Sequence, residues 1–84
     1  MKEQDVIELG FKREDVTAEE SGHPTDYYYY TYDFTNGLSL ITNDNESAII
    51  YGWSVEFFDT EEKIKFTRIK DLKKLIKLIN KNKR

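Results

Sequence analysis

Few residues of this chain have side chains suited to catalysis or metal binding. Among its 84 residues there is no cysteine and a single histidine, His23. Disulfides, thiolate metal sites and a cysteine nucleophile are therefore excluded, together with most zinc sites, which need several nitrogen or sulfur ligands. A Ser-His-Asp arrangement would have to use His23, which follows Gly22 and precedes Pro24 in a predicted loop, and no nucleophile motif accompanies it.

The acidic residues form neither a catalytic nor a calcium-binding pattern. Nothing in the spacing of Glu19-Glu20 or Glu61-Glu62 places two carboxylates across a cleft. Residues 43–46 have the composition of a calcium loop, but the central glycine is missing and Ile49 stands where an oxygen ligand is needed. The four glycines are scattered, so no phosphate-binding loop exists. We therefore expect no catalytic residue, no cofactor and no metal, and a protein that is not an enzyme.

Charge is distributed unevenly along the chain. Residues 1–62 carry three Lys/Arg and fifteen Asp/Glu, a net charge of −12, whereas residues 63–84 carry ten Lys/Arg and only Asp71, a net charge of +9. No basic residue lies between Arg13 and Lys63. Two interpretations stay open: the basic segment folds back and neutralises its own acidic body, or one pole meets a partner of opposite charge.

The clearest element that the sequence predicts is a strand over Tyr27–Phe34. Alternation with period two puts four aromatic side chains on one face, which should be the core face: Tyr28, Tyr30, Tyr32 and Phe34. A three-residue turn at Thr35-Asn36-Gly37, with Gly37 left-handed, places Tyr32 opposite Leu40 and keeps the apolar sides together. A two-residue Asn-Gly turn would mix the two faces, so we predict the three-residue turn.

Weaker signals predict the remaining elements before the C-terminal helix. Gly10 follows an apolar segment and predicts a short helix over residues 3–9. Strands are expected over residues 12–17, 52–58 and 63–66, and polar loops over residues 18–26 and 43–47, while residues 48–51 fit no single element. In the 52–58 segment and its extensions, these side chains should share the core face: Tyr51, Trp53, Val55, Phe57, Ile64 and Phe66.

The last segment has the pattern of an amphipathic helix. Thr67 is the expected N-cap. One stripe of the helix is apolar and should face the sheet: Ile69, Leu72, Leu75, Ile76 and Ile79. The opposite side is basic: Lys70, Lys73, Lys74, Lys77 and Lys81. We therefore predict one α+β domain over residues 1–84, an antiparallel β-meander of three to five strands with a short N-terminal helix and a C-terminal amphipathic helix packed on one sheet face.

Two surfaces are candidate binding sites. The outer face of the sheet should carry aromatic side chains and Ile41 among acids. We predict that a partner contacts five residues of this face: Tyr27, Tyr29, Asp33, Glu56 and Phe58. Alternatively, the N-terminal segment covers this face. The five helix lysines resemble a nucleic-acid footprint, but they are also what a solvated helix face looks like, and the acidic body would repel phosphates.

Several segments resemble short uncharacterised proteins of bacterial phages and mobile elements. They are Leu-Gly-Phe at 9–11, Glu-Glu-Ser-Gly at 19–22, the four tyrosines at 27–30, and the stretches 52–58 and 64–72. The resemblance implies an acidic protein that binds and blocks a host machine, as anti-CRISPR proteins do. It carries no catalytic residues.

Together these observations favour a non-enzymatic protein-interaction module, a phage-type inhibitor that docks its acidic, aromatic-bearing surface on a basic host protein. The alternative is a small nucleic-acid-binding protein that uses the lysines of the C-terminal helix. A homodimer is also open, because an unpaired strand edge or the outer aromatic patch could be self-complementary. No run of 18 apolar residues and no signal peptide is present, so we expect no membrane association and a location in the cytoplasm, that of the host cell if the protein is phage-encoded.

Overall fold

A computed structural model of the protein describes residues 1–35, 37–58, 60 and 64–81. Four helices and five strands alternate in a mixed order along these residues. They are α1 (Glu3–Glu8), β1 (Lys12–Val16), α2 (Ala18–Ser21), β2 (Tyr27–Asp33), β3 (Ser39–Thr42), α3 (Asn45–Tyr51), β4 (Val55–Phe57), β5 (Lys65–Phe66) and α4 (Ile69–Lys81).

The five strands form one antiparallel sheet in the order β1-β2-β3-β4-β5, so the predicted meander is confirmed. Tyr32 pairs with Leu40, as expected from the three-residue turn. Phe34 N donates to Leu38 O at 2.8 Å, and Gly37 has a φ of +90°. Asn36, the middle residue of that turn, lies outside the described residues. The apolar sides of β2 and β3 therefore face the same way, because a slip of one residue would have reversed them.

The core lies on one side of the sheet, which we call the inner face. The aromatic row of β2 points inward as predicted: Tyr30 and Phe34 are buried, while Tyr28 and Tyr32 are half-buried against the same cluster. The other buried apolar residues of the described chain are Val6, Phe11, Leu40, Trp53, Val55, Leu72 and Ile76. Since Val6 belongs to α1 and Leu72 to α4, both helices lie on the inner face.

The end of α1 follows the predicted pattern. Gly10 has a φ of +97°, and Phe11 N donates to Val6 O at 3.2 Å, while Gly10 N donates to Ile7 O at 3.1 Å. These two bonds form a Schellman motif, which satisfies carbonyls that the helix end would leave open and turns Phe11 back into the core.

The segment after β3 differs from the expectation. Residues 43–47 were expected in a polar loop and 52–58 in a strand, but a helix, α3, occupies Asn45–Tyr51 and β4 is limited to Val55–Phe57. Asp44 is the N-cap, and its carboxylate accepts from Ser47 N at 2.7 Å. Tyr51, expected on the core face, is therefore exposed on the last turn of α3, whereas Trp53 and Val55 are buried as expected.

Three smaller expectations also need correction. The loop predicted over residues 18–26 begins with one helical turn, α2, because Thr17 Oγ1 accepts from Glu20 N and caps it. The C-terminal helix begins at Ile69, and Arg68 O accepts its first bond from Leu72 N, so Thr67 is not the N-cap. Phe66 pairs with Val55 and packs against the core, as expected for its face, but Ile64 is half exposed, and Lys63 of the same expected strand lies outside the described residues.

The longest helix in the described chain has 13 residues, and none of the helices there has the length and apolar character needed to cross a lipid bilayer.

Packing of α4 on the sheet should show in the stability of two leucine variants. Leu72→Ala removes a fully buried side chain and should lower the free energy of unfolding by about 2–5 kcal/mol, because a cavity remains among the core residues. Leu78→Ala, on the same helix at a side chain that is 60% exposed, should change it by less than about 0.5 kcal/mol. Urea denaturation followed by circular dichroism measures both, and equal losses would contradict this placement of α4.

Tyr30 makes the described core sensitive to alkali. Burial, with the hydrogen bond from its hydroxyl to Glu3 Oε2 at 2.6 Å, raises the pKa of Tyr30 to about 12. The folded protein therefore holds a proton that the unfolded chain releases above its ordinary pKa of 10.0. The stabilisation is fully present below pH 10 and is lost as the pH rises through 12.

We expect the free energy of unfolding to fall by roughly 2 kcal/mol between pH 10 and pH 12 because of Tyr30. Tyr30→Phe should remove most of this fall, whereas Tyr29→Phe, on the other face of the same strand, should keep it. Urea titrations at pH 9, 10 and 11, followed by far-ultraviolet circular dichroism, test the expectation. A Tyr30→Phe profile with the same slope as the wild type would disprove it.

Candidate binding surface

The opposite side of the sheet, the outer face, collects the residues predicted to bind a partner. Tyr29, Asp33 and Phe58 line one hollow there, with a volume of about 170 Å³. Tyr27 and Glu56 belong to the same face by strand register, since alternate residues of one strand and paired residues of neighbours share a side. Tyr27, Tyr29 and Glu56 are half-buried, whereas Asp33 is exposed and Phe58 is 57% exposed. The five residues therefore lie on one continuous face.

A second hollow of about 250 Å³ lies next to the first, and Ile41 lines both. Its other walls come from the end of β3, from α3 and the loops on both sides of it, and from β4 and β5: Thr42, Asn43, Ser47, Tyr51, Ser54, Glu56 and Lys65. Since α1 and α4 pack on the inner face, no helix of the described chain covers the middle of this surface. The N-terminal segment therefore does not provide the cover that the sequence left open as an alternative.

The outer face is closer to charge balance than the sequence suggested. Lys12 Nζ lies 3.7 Å from a Glu14 oxygen, and Lys65 Nζ lies 3.9 Å from a Glu56 oxygen. Asp33 accepts a hydrogen bond from Ser39 Oγ at 2.6 Å. Exposed pairs of this kind contribute little stability, so a partner's cation could replace either lysine at small cost. The outer face therefore offers apolar contact area with carboxylates that are only loosely engaged.

Acidic side chains concentrate at one end of the molecule, which we call the acidic end: α2, the loop 22–26 and α3. This end carries Glu19, Glu20, Asp26, Asp44 and Glu46 and no Lys or Arg. Contacts to Glu46 hold its parts together, because Thr25 Oγ1 donates to Glu46 Oε1 at 2.5 Å and His23 Nε2 lies 3.6 Å from Glu46 Oε2. The acids thus form a surface region and not merely a stretch of sequence.

Three large apolar side chains project from the acidic end. Ile49, Ile50 and Tyr51 of α3 are 84%, 73% and 82% exposed. Three consecutive residues of this type at such exposure differ from scattered surface leucines and are typical of a contact surface. The sequence pattern does not reveal them, because alternation favours Tyr51 in the core and residues 48–51 fit no single element. The signals that would have found α3 are the N-cap Asp44 and Gly52 directly after its last turn.

Asn43 holds α3 in place between β3 and β4. Its Nδ2 donates to Gly52 O at 2.9 Å and to Ser47 Oγ at 3.3 Å. Its Oδ1 accepts from Ser54 N at 3.0 Å, and its backbone N donates to Ser54 O at 3.2 Å. One side chain therefore ties both ends of the helix to the sheet, which fixes where Tyr51 meets the outer face.

The five lysines proposed as a nucleic-acid footprint are all exposed on α4: Lys70, Lys73, Lys74, Lys77 and Lys81. The ion pairs between described residues do not include any of them. Within that part of the chain, α4 does not neutralise the acidic body by direct contact. The basic face and the acidic end are separate surfaces.

The described residues show no arrangement suited to metal binding. No group of three or more His, Asp or Glu side chains comes close enough to hold an ion in residues 1–35, 37–58, 60 and 64–81. The Nδ1 atom of His23, the one candidate base, lies 3.0 Å from Thr25 O and 3.3 Å from Thr25 N, and the His23 ring is edge-on to Tyr27 with the ring centroids 5.1 Å apart. These contacts give His23 a part in the packing of the loop.

Comparison of the chain with protein-family models, with curated proteins and with solved structures finds no match.

The role of Asn43 can be tested by local hydrogen exchange. Asn43→Ala leaves Gly52 O and Ser54 N without their side-chain partner, which costs roughly 1–3 kcal/mol in a partly buried setting. Amides of α3 should then exchange about 10–100-fold faster, whereas those of β2 should change little. Asn80→Ala, which removes one exposed bond to Tyr32 Oη, is the matched control. Unchanged exchange in α3 would rule out the anchoring role.

Proposed function

We propose that the protein is a non-enzymatic binding module that docks its acidic end and outer face on a basic surface of another protein and blocks it. The observation that carries the proposal is α3, which holds Ile49, Ile50 and Tyr51 largely in solvent and has Asp44 and Glu46 at its N-terminal end. Exposed apolar side chains supply contact energy, and the carboxylates around them select a partner of opposite charge.

Charge favours a partner rich in Lys and Arg over other occupants. Between Arg13 and Lys63 the chain has twelve carboxylates and no Lys or Arg, so an acidic partner or a nucleic acid would be repelled from this side. A basic protein gains both faster association and favourable pairing there. Surfaces rich in Lys and Arg are typical of proteins that bind nucleic-acid phosphates. Occupation of such a surface by this chain would therefore exclude the nucleic acid. This is the physical basis for proposing an inhibitor.

The outer face extends the contact area beyond α3. Tyr51 lines the larger hollow together with Glu56, and Ile41 connects that hollow to the one lined by Tyr29 and Phe58. A partner that contacts α3 can therefore continue over the tyrosines of β2 without crossing a helix. Tyrosine suits this role because it gives a large contact area with few rotatable bonds.

The alternative function, nucleic-acid binding through α4, is supported by one observation. The five exposed lysines of that helix lack ion-pair partners in the described chain, so they are available to phosphates. Against it stands the acidic remainder of the surface, which lowers the potential around the helix.

Two surface variants and one control test the proposal. A partner is first captured from a bacterial lysate and purified, and its affinity is then measured by calorimetry at two salt concentrations. Tyr29→Ala/Glu56→Lys and Ile50→Ala/Tyr51→Ala should each weaken binding at least tenfold, and the wild-type protein should displace nucleic acid from the partner. Lys70→Ala/Lys74→Ala, on the opposite side, should bind as the wild type does.

Other outcomes would overturn it. Binding that both surface variants retain, or that only the lysine variant loses, would place the contact elsewhere. Submicromolar, salt-sensitive binding of the protein itself to DNA or RNA in a gel-shift assay would support the alternative. A dimer in sedimentation analysis that the surface variants abolish would identify a second copy of this chain as the occupant.

A further inference from the structure

A cleft between α1 and α3, on the inner side of the sheet, is distinct from the outer hollows. Its volume is about 140 Å³. This is well below the roughly 300–1,000 Å³ of sites that take a drug-sized ligand, so the cleft has room for one side chain or a small molecule. The lining residues are Glu3, Tyr28, Asn45, Ala48, Ile49 and Trp53.

Two aromatic rings form walls of this cleft. The ring centroids of Tyr28 and Trp53 are 6.2 Å apart, with a tilt of 34° between the planes. Aromatic faces attract cations, tryptophan most strongly. Arg13 Cζ lies 3.7 Å from the Tyr28 centroid, so a guanidinium already covers one face of this ring. A further cation in the cleft therefore contacts only the ring surface that Arg13 leaves uncovered.

A carboxylate without a cationic partner lies beside these rings. Glu3 is half-buried and accepts hydrogen bonds from Tyr30 Oη at 2.6 Å and from Tyr28 Oη at 3.5 Å. A carboxylate has about four acceptor positions, so about two remain. The ion pairs between described residues do not include Glu3. Arg13, which contacts the neighbouring Tyr28 ring, forms its ion pair with Asp15. A half-buried carboxylate with free acceptor positions is stabilised by an added cationic donor.

We propose that this cleft binds a primary alkylammonium group, with the Glu3 carboxylate accepting from the ammonium and the Tyr28 and Trp53 rings forming part of the cleft wall beside it. A primary ammonium fits better than a quaternary one because its N–H groups can use the open acceptor positions of Glu3. A guanidinium is a broad plane with five donors and matches one carboxylate in a small cleft less well. The inference goes beyond the proposed function, since it concerns a cleft on the inner side of the sheet; Ile49 is the one residue that the cleft shares with the exposed apolar side chains of α3.

The single tryptophan makes the site directly observable. Titration with n-butylammonium chloride, with sodium chloride at equal ionic strength as the reference, should change the Trp53 fluorescence and shift its indole N–H resonance saturably. We expect a dissociation constant in the millimolar range, as one charged hydrogen-bonded contact with cation–π support provides. Guanidinium chloride at low millimolar concentration should bind more weakly.

Matched variants distinguish binding of the ammonium in the cleft from a general effect of the protein's charge. Glu3→Gln should weaken n-butylammonium binding at least tenfold, whereas Glu8→Gln, on the same helix and outside the cleft, should not. Ile49→Lys places an ammonium at the cleft mouth on a side chain that is 84% exposed, and it should compete and weaken binding at least fivefold. Ile50→Lys adds the same charge to α3 away from the cleft lining and should have a much smaller effect. Ile49→Lys keeps the test valid should Glu3→Gln fail to fold.

A further arm distinguishes the source of the ammonium group. A short peptide with one central lysine and blocked ends should bind as n-butylammonium does if the cleft takes a lysine of another protein. Binding of the free amine without the peptide would identify a small-molecule amine site. A response equal to that of sodium chloride, or equal affinities in the wild type, Glu3→Gln and Ile49→Lys, would overturn the proposal. Loss of ammonium binding would leave the test of the outer face unaffected, so the two proposals can fail separately.

Discussion

The aromatic row on the inner side of β2 is the constraint on which the rest of the structure depends. Tyr30 and Phe34 are buried, and the side chains between and beside them pack on the same cluster. A sheet with such a large apolar area on one side needs cover there, and α1 and α4 supply it. Because the described residues provide only these two helices for that purpose, the opposite side of the sheet is left open there. The half-buried tyrosines of the outer face, Tyr27 and Tyr29, are thus a consequence of where the core lies.

The sequence predicted those parts of the fold that depend on strong periodicity. Alternation in β2, the apolar stripe of α4 and the Gly10 end of α1 each have one physical solution, and each is found. The prediction from the sequence was wrong where two weak signals conflict. Residues 45–51 combine polar side chains, which suggested a loop, with β-branched residues and Tyr51, which suggested a strand. A helix forms there because Asp44 caps its N-terminus and the Asn43 side chain hydrogen-bonds to Gly52 and Ser54. These hydrogen bonds depend on tertiary neighbours that periodicity does not describe.

The candidate site was predictable only in part for the same reason: periodicity gives strand register but not the position of a helix that depends on tertiary hydrogen bonds. Register alone brought Tyr29 and Glu56 to one face, because the side-chain direction in paired strands follows from alternation. The exposure of Ile49 and Tyr51 could not be obtained this way, since it follows from α3 standing out from the sheet. The charge distribution along the chain predicts a basic and an acidic region, and the structure places the two on separate surfaces. The basic helix α4 lies at the inner side, whereas the acids lie around α2 and α3.

The helix α3 connects the two surfaces that this structure makes available for binding. Tyr51 lines the larger hollow of the outer face, while Ile49, two residues earlier, lines the cleft beside Glu3. Residues two apart on a helix point to different sides, so a short helix standing at the end of a sheet must present one side chain to each face. Its position is set by hydrogen bonds from Asn43 and by Asn45 Oδ1, which accepts from Tyr28 N at 2.8 Å. A small displacement of α3 would therefore alter the hollow and the cleft together, which couples their geometry through one element.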